Sequence, residues 1–122
     1  MQSNKSSEAL QERLTRYREI KITVTGRKSG RAISNSIWFV QDDGKLYLLP
    51  VQGSQTQWYK NALKNHRIKI DARGEQGDFR AVAITNPEEV SAVVGKFRDK
   101  YGAGDVKKYY SKFDVAILAE KQ

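Results

Sequence analysis

The seven residues Thr25-Gly26-Arg27-Lys28-Ser29-Gly30-Arg31 hold three cations, a serine hydroxyl and two glycines. Guanidinium and ammonium groups donate charge-assisted hydrogen bonds to oxyanions, and glycine lets the backbone turn tightly enough to bring amides close to a ligand. Arg27, Lys28, Ser29, Gly30 and Arg31 are therefore a candidate grip for a phosphate or a carboxylate. The competing reading is a solvated hairpin tip, because cationic turns are common and surface ion pairs are worth little. Composition removes other chemistries: the chain has no cysteine and a single histidine, His66, so thiolate catalysis and a zinc centre lack their ligands. No metal site is expected, and no side chain is singled out as catalytic.

Four further groups could take part. Ser54 follows Gly53 at a helix entrance, where amides could hold an anion or a cofactor carbonyl, or where serine simply turns the chain. Trp58 and Tyr59 lie on the apolar face of that helix, either as core anchors or beside a ligand. Tyr47 and Trp38 lie on strands, where barrel packing accounts for them and cofactor stacking is the alternative. Tyr109 and Tyr110 occupy a polar stretch, where the pair either closes over a substrate pocket or covers a barrel rim. His66 reads as structural, at a helix end where positive charge is favoured.

The elements that must position these residues are legible from periodicity. Leu10, Leu14 and Tyr17 recur at helical spacing behind a polar leader, giving a short amphipathic helix that ends before Ile20. Ile20, Ile22 and Val24 alternate with polar residues as in a half-exposed strand. A second strand is expected from Ala32 to Val40, and Asp42-Asp43-Gly44 turns the chain into a third, from Lys45 to Val51. A helix starting near Thr56 carries Trp58, Tyr59, Ala62, Leu63 and His66 on one face. Ile68, Ile70 and Ala72 alternate again, a turn is expected over residues 74–77, and Phe79 to Thr85 forms the next strand. Asn86-Pro87-Glu88-Glu89 has an N-cap, a proline at the first helical position and a capping-box glutamate, followed by Val90, Val93, Val94, Phe97 and Tyr101. Gly102 ends that helix, Asp105 is the expected cap of a short turn carrying Tyr109 and Tyr110, and Phe113, Val115, Ile117 and Ala119 supply a last strand. Tight turns rather than helical crossovers join most of these strands, which excludes a doubly wound parallel sheet. The expected fold is mainly β with peripheral helices (α+β), a six-stranded antiparallel split β-barrel forming a single domain over residues 1–122.

The chain of 122 residues carries a formal charge of +8, which favours an anionic partner without choosing one. Its cations are dispersed and it lacks an RNP-like aromatic motif, so a nucleic-acid-binding barrel is the secondary expectation. No apolar run approaches the roughly 20 residues that span a bilayer, and a polar start argues for a cytoplasmic protein.

Taken in order, the basic turn, Trp38-Phe39-Val40, the Asp43-Gly44 turn, Leu46-Tyr47-Leu48 and Trp58-Tyr59-Lys60-Asn61-Ala62-Leu63-Lys64-Asn65 resemble the deazaflavin-dependent nitroreductase family. The resemblance runs from about Ile22 to Ala119 and implies a flavin-binding split barrel of the pyridoxamine-phosphate-oxidase-like kind. It implies a reductase that uses the deazaflavin coenzyme, factor 420, and passes a hydride to a small electron-poor molecule such as a quinone, enone or nitro compound. Flavin mononucleotide (FMN), with its own phosphate and planar ring, is the alternative cofactor, and a non-catalytic flavin-binding protein is the alternative function. Carried over by position, Arg27, Lys28 and Ser29 match contacts to the coenzyme tail, and Trp58 and Tyr59 match the helix beside its pocket. Gly30 and Ser54 complete the expected cofactor contacts, with Tyr47, Tyr109 and Tyr110 as the expected substrate pocket. A homodimer is the assembly such barrels imply.

Overall fold

The computed structural model describes the backbone of residues 3–122 and the side chains of residues 9–122. Helix α1 (Ser3–Arg16) leads into β1 (Ile20–Thr25), β2 (Ala32–Ile37), β3 (Phe39–Asp42) and β4 (Lys45–Leu48). A 3-10 turn at Gly53–Gln55 precedes α2 (Gln57–Lys64), and then come β5 (Arg67–Ala72), β6 (Glu75–Ile84), α3 (Pro87–Tyr101), α4 (Ala103–Tyr109) and β7 (Ala116–Lys121). The strands form one antiparallel sheet in the order β2-β1-β5-β6-β7-β4-β3.

That order contains the barrel. β2 and β3 are the two outermost strands of the sheet, yet Trp38 alone separates them in the chain. One residue spans at most about 3.6 Å, so the sheet must curl until its two edges meet at Trp38. The fold is a split β-barrel. It has seven strands rather than six because the expected strand from Ala32 to Val40 breaks at Trp38, where the chain passes from one edge to the other. The polar Ser34-Asn35-Ser36 gives way to the apolar run Ile37-Trp38-Phe39-Val40, and such a run reads as readily as one strand buried on both faces as it does as a break between two strands.

Two type I′-like hairpins set the register. Asp42 pairs with Lys45 and Ala72 pairs with Glu75, leaving Asp43-Gly44 and Arg73-Gly74 as two-residue loops with positive φ throughout, between 54° and 99°. This is the geometry that matches strand twist. The expected turn over residues 74–77 therefore tightens to Arg73-Gly74, and β6 begins at Glu75 instead of Phe79. β4 stops at Leu48, and the last strand starts at Ala116, leaving Phe113 in the preceding loop.

One core fills the barrel and a second lies outside it. Ile20, Ile22 and Val24 from β1, Ile68 and Ile70 from β5, and Leu46 and Leu48 from β4 point inward with Leu10 and Leu14 of α1 and with Trp58, Tyr59 and Ala62 of α2. Val90, Val93, Val94, Phe97 and Tyr101 of α3 cover the opposite side of the sheet with Val40 and Ala116, and Trp38 and Tyr47 pack against them. Helix α3 starts as its sequence dictates: Asn86 Oδ1 accepts from the amides of Glu88 and Glu89 at 2.9 and 3.2 Å, and Pro87 takes the first position. Asp105 is not a cap. It sits inside the first turn of α4, whose N-cap is Gly102 at φ 94°. Among the described residues no helix is long and apolar enough to cross a membrane.

Candidate functional site

The basic turn is closed by its own backbone. Gly26 N–H donates to Arg31 O at 2.8 Å and Gly30 N–H to Gly26 O at 2.9 Å, while Ser29 Oγ accepts from Arg31 N–H at 3.1 Å. Gly30 holds φ 74°, and a Cβ on Gly26 would lie 2.6 Å from Ser29 Oγ. Gly30 is thus required by the left-handed backbone of the turn, while a side chain at Gly26 would have to displace Ser29 Oγ.

Arg27 is committed elsewhere than to solvent. Its backbone N–H and its Nη1 both donate to Asn61 Oδ1, at 3.0 and 2.7 Å, and its Nη2 donates to Gln57 Oε1 at 2.9 Å. The guanidinium brackets the turn to α2. Lys28, Ser29, Gly30 and Arg31 remain exposed. Between turn and helix lies an open concavity of about 370 Å3, lined by Gly26, Arg27, Lys28 and Ser29, by Ile33 and Asn35 of β2, and by Gln57, Trp58 and Asn61. Trp58 and Tyr59 are 5% and 3% exposed and belong to the barrel core. Trp58 alone of the two also reaches the concavity. Burial, and secondarily the negative charge of Asp114, raises the Tyr59 phenol above its ordinary range.

Ser54 is already occupied by an internal anion. Its N–H and Oγ both donate to the Asp114 carboxylate, at 2.9 and 2.6 Å. Burial pushes the Asp114 carboxyl up, but the Ser54 hydroxyl and amide more than offset this, and the net direction is down. The amide expected to face a ligand thus faces Asp114.

A second concavity, of about 350 Å3, lies at the other end of β2, lined by Glu19, Ser36, Ile37, Trp38, Leu49, Val51, Tyr109 and Tyr110. Trp38 stacks on Tyr101 with ring centres 4.1 Å apart and planes 7° from parallel, and meets Tyr109 edge-on at 5.5 Å. Tyr109 and Val51 present exposed apolar surface there, while Tyr110 is buried, and burial raises the Tyr110 phenol far above its ordinary range. Tyr47 does not join them. It packs toward α3, with Lys96 Nζ 5.7 Å from its ring centre. From Ile33 to Ile37 a strand advances about 13 Å, so the two concavities are neighbours along one edge strand.

The bend between them is held by α3. Tyr101 Oη accepts from Phe39 N–H at 3.1 Å and lies 2.7 Å from Arg18 O. Lys100 Nζ donates to Phe39 O at 2.8 Å and sits 3.6 Å from the Phe39 ring centre. Burial, with the Arg18 charge second, lowers the Lys100 ammonium to about 8. Because the folded-state value lies below the unfolded one of 10.5, folding is penalised in full below pH 8 and the penalty disappears as pH rises toward 10.5. Between pH 8 and 10 the wild type should gain on the order of 1 kcal/mol relative to Lys100→Met, after allowance for the half of the side chain left in water. Urea titrations of both proteins at the two pH values test this, and parallel pH dependence would refute it.

Charge is unevenly spread. Across the exposed sheet face Lys21 pairs with Asp71, Lys69 with Asp78 and Arg80 with Glu120, which counters those cations locally. In the basic turn and on α2, by contrast, Lys28, Arg31, Lys60 and Lys64 occur with no acid. The pole around the turn and α2 is the basic one. Among the described residues no three His, Asp or Glu side chains gather to hold a metal.

Gln57, Asn61 and Asp114 are among the site residues that sequence reasoning did not single out. Asn61 was within reach, as a polar residue on the apolar side of an otherwise amphipathic helix. Asp114 carried no signal, because its partner lies 60 positions away in the chain.

A seven-stranded split barrel with a basic turn on one flank of its edge strand and an aromatic pocket on the other defines the class. Residues 11–116 match the family described as "Uncharacterized protein conserved in bacteria (DUF2255)", and the chain belongs to that family. Solved structures share the fold. HutZ, the heme storage protein from Vibrio cholerae, is 13% identical with a TM-score of 0.71, covering 94% of this chain and 89% of that one. An F420-H2-dependent reductase (FDR-A) is 18% identical at TM-score 0.65, covering 84% and 94%. A NimC/NimA family protein from Clostridium acetobutylicum is 13% identical at TM-score 0.66, covering 95% and 80%.

Proposed function

We propose that this protein is a small oxidoreductase that holds a phosphorylated planar cofactor, the deazaflavin factor 420 or alternatively FMN, along β2. Such a cofactor supplies hydride transfer to an electron-poor acceptor when bound. The observation that carries the reading is the pairing of the two concavities on one strand. The basic turn at Lys28, Ser29, Gly30 and Arg31 suits the anionic tail, and the pocket of Trp38, Tyr109 and Tyr110 suits a flat conjugated acceptor. Arg27 positions the turn, Trp58 walls the tail site from the core side, and Tyr59 supports it from within the barrel. Val51, Leu49 and Ile37 exclude water from the acceptor. Ser54, engaged by Asp114, and Tyr47, on the α3 side, have no direct part in this reading. The F420-H2-dependent reductase among the structural neighbours is consistent with it at the level of fold.

Titration of the purified protein with reduced factor 420 and with FMN tests the proposal. Lys28→Ala should weaken binding several-fold with a reduced salt dependence, and Arg27→Ala should weaken it further by releasing the turn from α2. Absence of binding by both cofactors would remove the redox reading.

A further inference from the structure

A third concavity, of about 360 Å3, lies between α3 and the loop before β7, lined by Pro87, Ser91, Val94, Arg98, Phe113 and Asp114. Its four helical residues recur at i, i+4, i+7 and i+11, so they form one straight stripe along α3. Charge is graded along that stripe. At the Pro87 end Asn86 Oδ1 already takes the amides of Glu88 and Glu89, and those two acids stand in the first turn, so an anion is not drawn there. At the other end the exposed Arg98 guanidinium lies 5.8 Å from the Phe113 ring centre. The acid that shares the groove does not claim it. Asp114 Oδ1 accepts from Ser54 N–H at 2.9 Å and Oδ2 from Ser54 Oγ at 2.6 Å, with Lys112 Nζ 3.7 Å from Oδ2. The ion pairs among the described residues join Arg16 to Glu12, Lys96 to Asp42 and Lys112 to Asp114, and leave Arg98 out. Between the two ends the walls are apolar: Val94 is buried, and Phe113 is 37% exposed and stacks on Tyr110 with ring centres 6.2 Å apart.

We infer that this groove binds a small monocarboxylate with an aryl body. The carboxylate pairs its two coplanar oxygens with the planar fork of Arg98, and the Ser91 hydroxyl donates to one of them. Arg98 and Ser91 are about 10 Å apart along the helix, and a long helical side chain leans back toward the N-terminus, which carries the guanidinium toward Ser91. The aryl ring lies on Pro87, Val94 and Phe113 and adds a member to the Tyr110–Phe113 stack. Local charge selects the ligand. With Lys112 set against Asp114, Arg98 is left over as one positive charge for one negative. A phosphate dianion brings a second charge toward Asp114, and an amine meets Arg98. The groove shares no lining residue with either concavity on β2, so the inference is independent of the redox reading.

Titration of the isotope-labelled protein with phenylpropionate, followed by amide resonances, tests the assignment. The probe should bind with a Kd on the order of 1 mM, as suits about a dozen heavy atoms in an open groove, and Ser91, Val94, Arg98 and Phe113 should shift first. Phenylpropanol keeps the body and loses the charge, and it should bind at least about fivefold more weakly. Arg98→Gln should weaken phenylpropionate about tenfold and leave phenylpropanol unchanged. Arg98 is exposed, so the melting temperature should be kept. Equal binding of acid and alcohol by the wild type overturns the assignment, and so does equal binding of the acid by the wild type and Arg98→Gln. Shifts confined to the basic turn, or scattered over the exposed lysines, also overturn it, because the probe is then a general counter-ion. Silence of all four signals at about ten times the expected Kd overturns it as well.

Discussion

Tyr101→Phe should lower stability by about 2 kcal/mol, a drop of roughly 8 °C in Tm for a domain of this size. Tyr101 is 6% exposed, and its hydroxyl is the acceptor for Phe39 N–H at 3.1 Å and the donor facing Arg18 O at 2.7 Å. Burial drives its phenol up to about 12, so it stays a donor throughout the working pH range. Phenylalanine keeps the ring, and with it the stack on Trp38 at 4.1 Å and the Arg18 guanidinium 4.9 Å from the ring centre. Only the hydroxyl goes. What it leaves is a backbone N–H without its partner, at the residue where the chain crosses from β2 to β3 and the two sheet edges meet. Leaving a buried backbone donor unpaired costs more than a typical hydrogen bond contributes. Urea denaturation checks the size of the effect. A change below about 0.5 kcal/mol would mean that the bend is held by ring packing alone, since substitutions that disturb no special feature stay within that range.

That bend also separates what the sequence discloses from what it conceals. The order of elements, the Asp43-Gly44 hairpin and the Asn86-Pro87 helix start are local patterns, in which the residues that form the feature are close in the chain. The split at Trp38 is not local. It is held by the hydroxyl of Tyr101 and the ammonium of Lys100, 62 and 61 residues from Phe39, and the apolar run Ile37-Trp38-Phe39-Val40 reads equally well as one unbroken buried strand. The same distinction divides the site. A cationic, glycine-bearing turn was legible as a potential anion grip, but the commitment of Arg27 to Asn61 and Gln57 needs α2 to be docked beside it. Read from sequence, all three cations of the turn are free to grip an anion, with a solvated hairpin tip as the competing reading. Docking spends one of them on structure, and the electrostatic pole that remains depends on Lys28 and Arg31 with Lys60 and Lys64 of α2.

Ser54 shows how a plausible ligand contact is lost to a protein group. A serine after glycine at a helix entrance has the amide and hydroxyl that an oxyanion wants, and here the oxyanion is the Asp114 side chain. The loop before α2 is thereby tied to the loop before β7, and two further links run beside it: Ser111 N–H donates to Val51 O at 2.9 Å, and Gln52 bridges to Lys112. Both concavities touch the tied segment, one through Val51 and the other through Gln57. Rigidity of that loop is therefore a condition for holding the walls of either pocket in place.

Gly53→Ala should remove that condition at a cost of about 3 kcal/mol, through two effects that act at one atom. Gly53 has φ 55°, and a Cβ there would lie 2.1 Å from Asp114 Oδ1 and 3.0 Å from Lys112 Cγ. Left-handed backbone costs an alanine roughly 1–2 kcal/mol by itself. The carboxylate must also withdraw, which forfeits charge-assisted bonds to Ser54 worth about 1.5–3 kcal/mol in favourable cases, with the lower figure apt for a partly exposed pair. The two effects can be separated, because Asp114→Ala removes the obstructing oxygen and the clamp together. In that background Gly53→Ala should cost only the backbone portion, so a double-mutant cycle should show coupling of about 1–2 kcal/mol. Strict additivity would place the whole penalty in the backbone angle and deny the clamp any role. The cycle also reaches the proposed site: loosening the segment ahead of α2 frees Gln57, then Asn61, from their register with Arg27. Affinity for factor 420 or FMN should therefore fall in Gly53→Ala although no substituted atom lies in the concavity, and unchanged affinity would show that α2 is held by its core residues Trp58, Tyr59 and Ala62 without help from the loop.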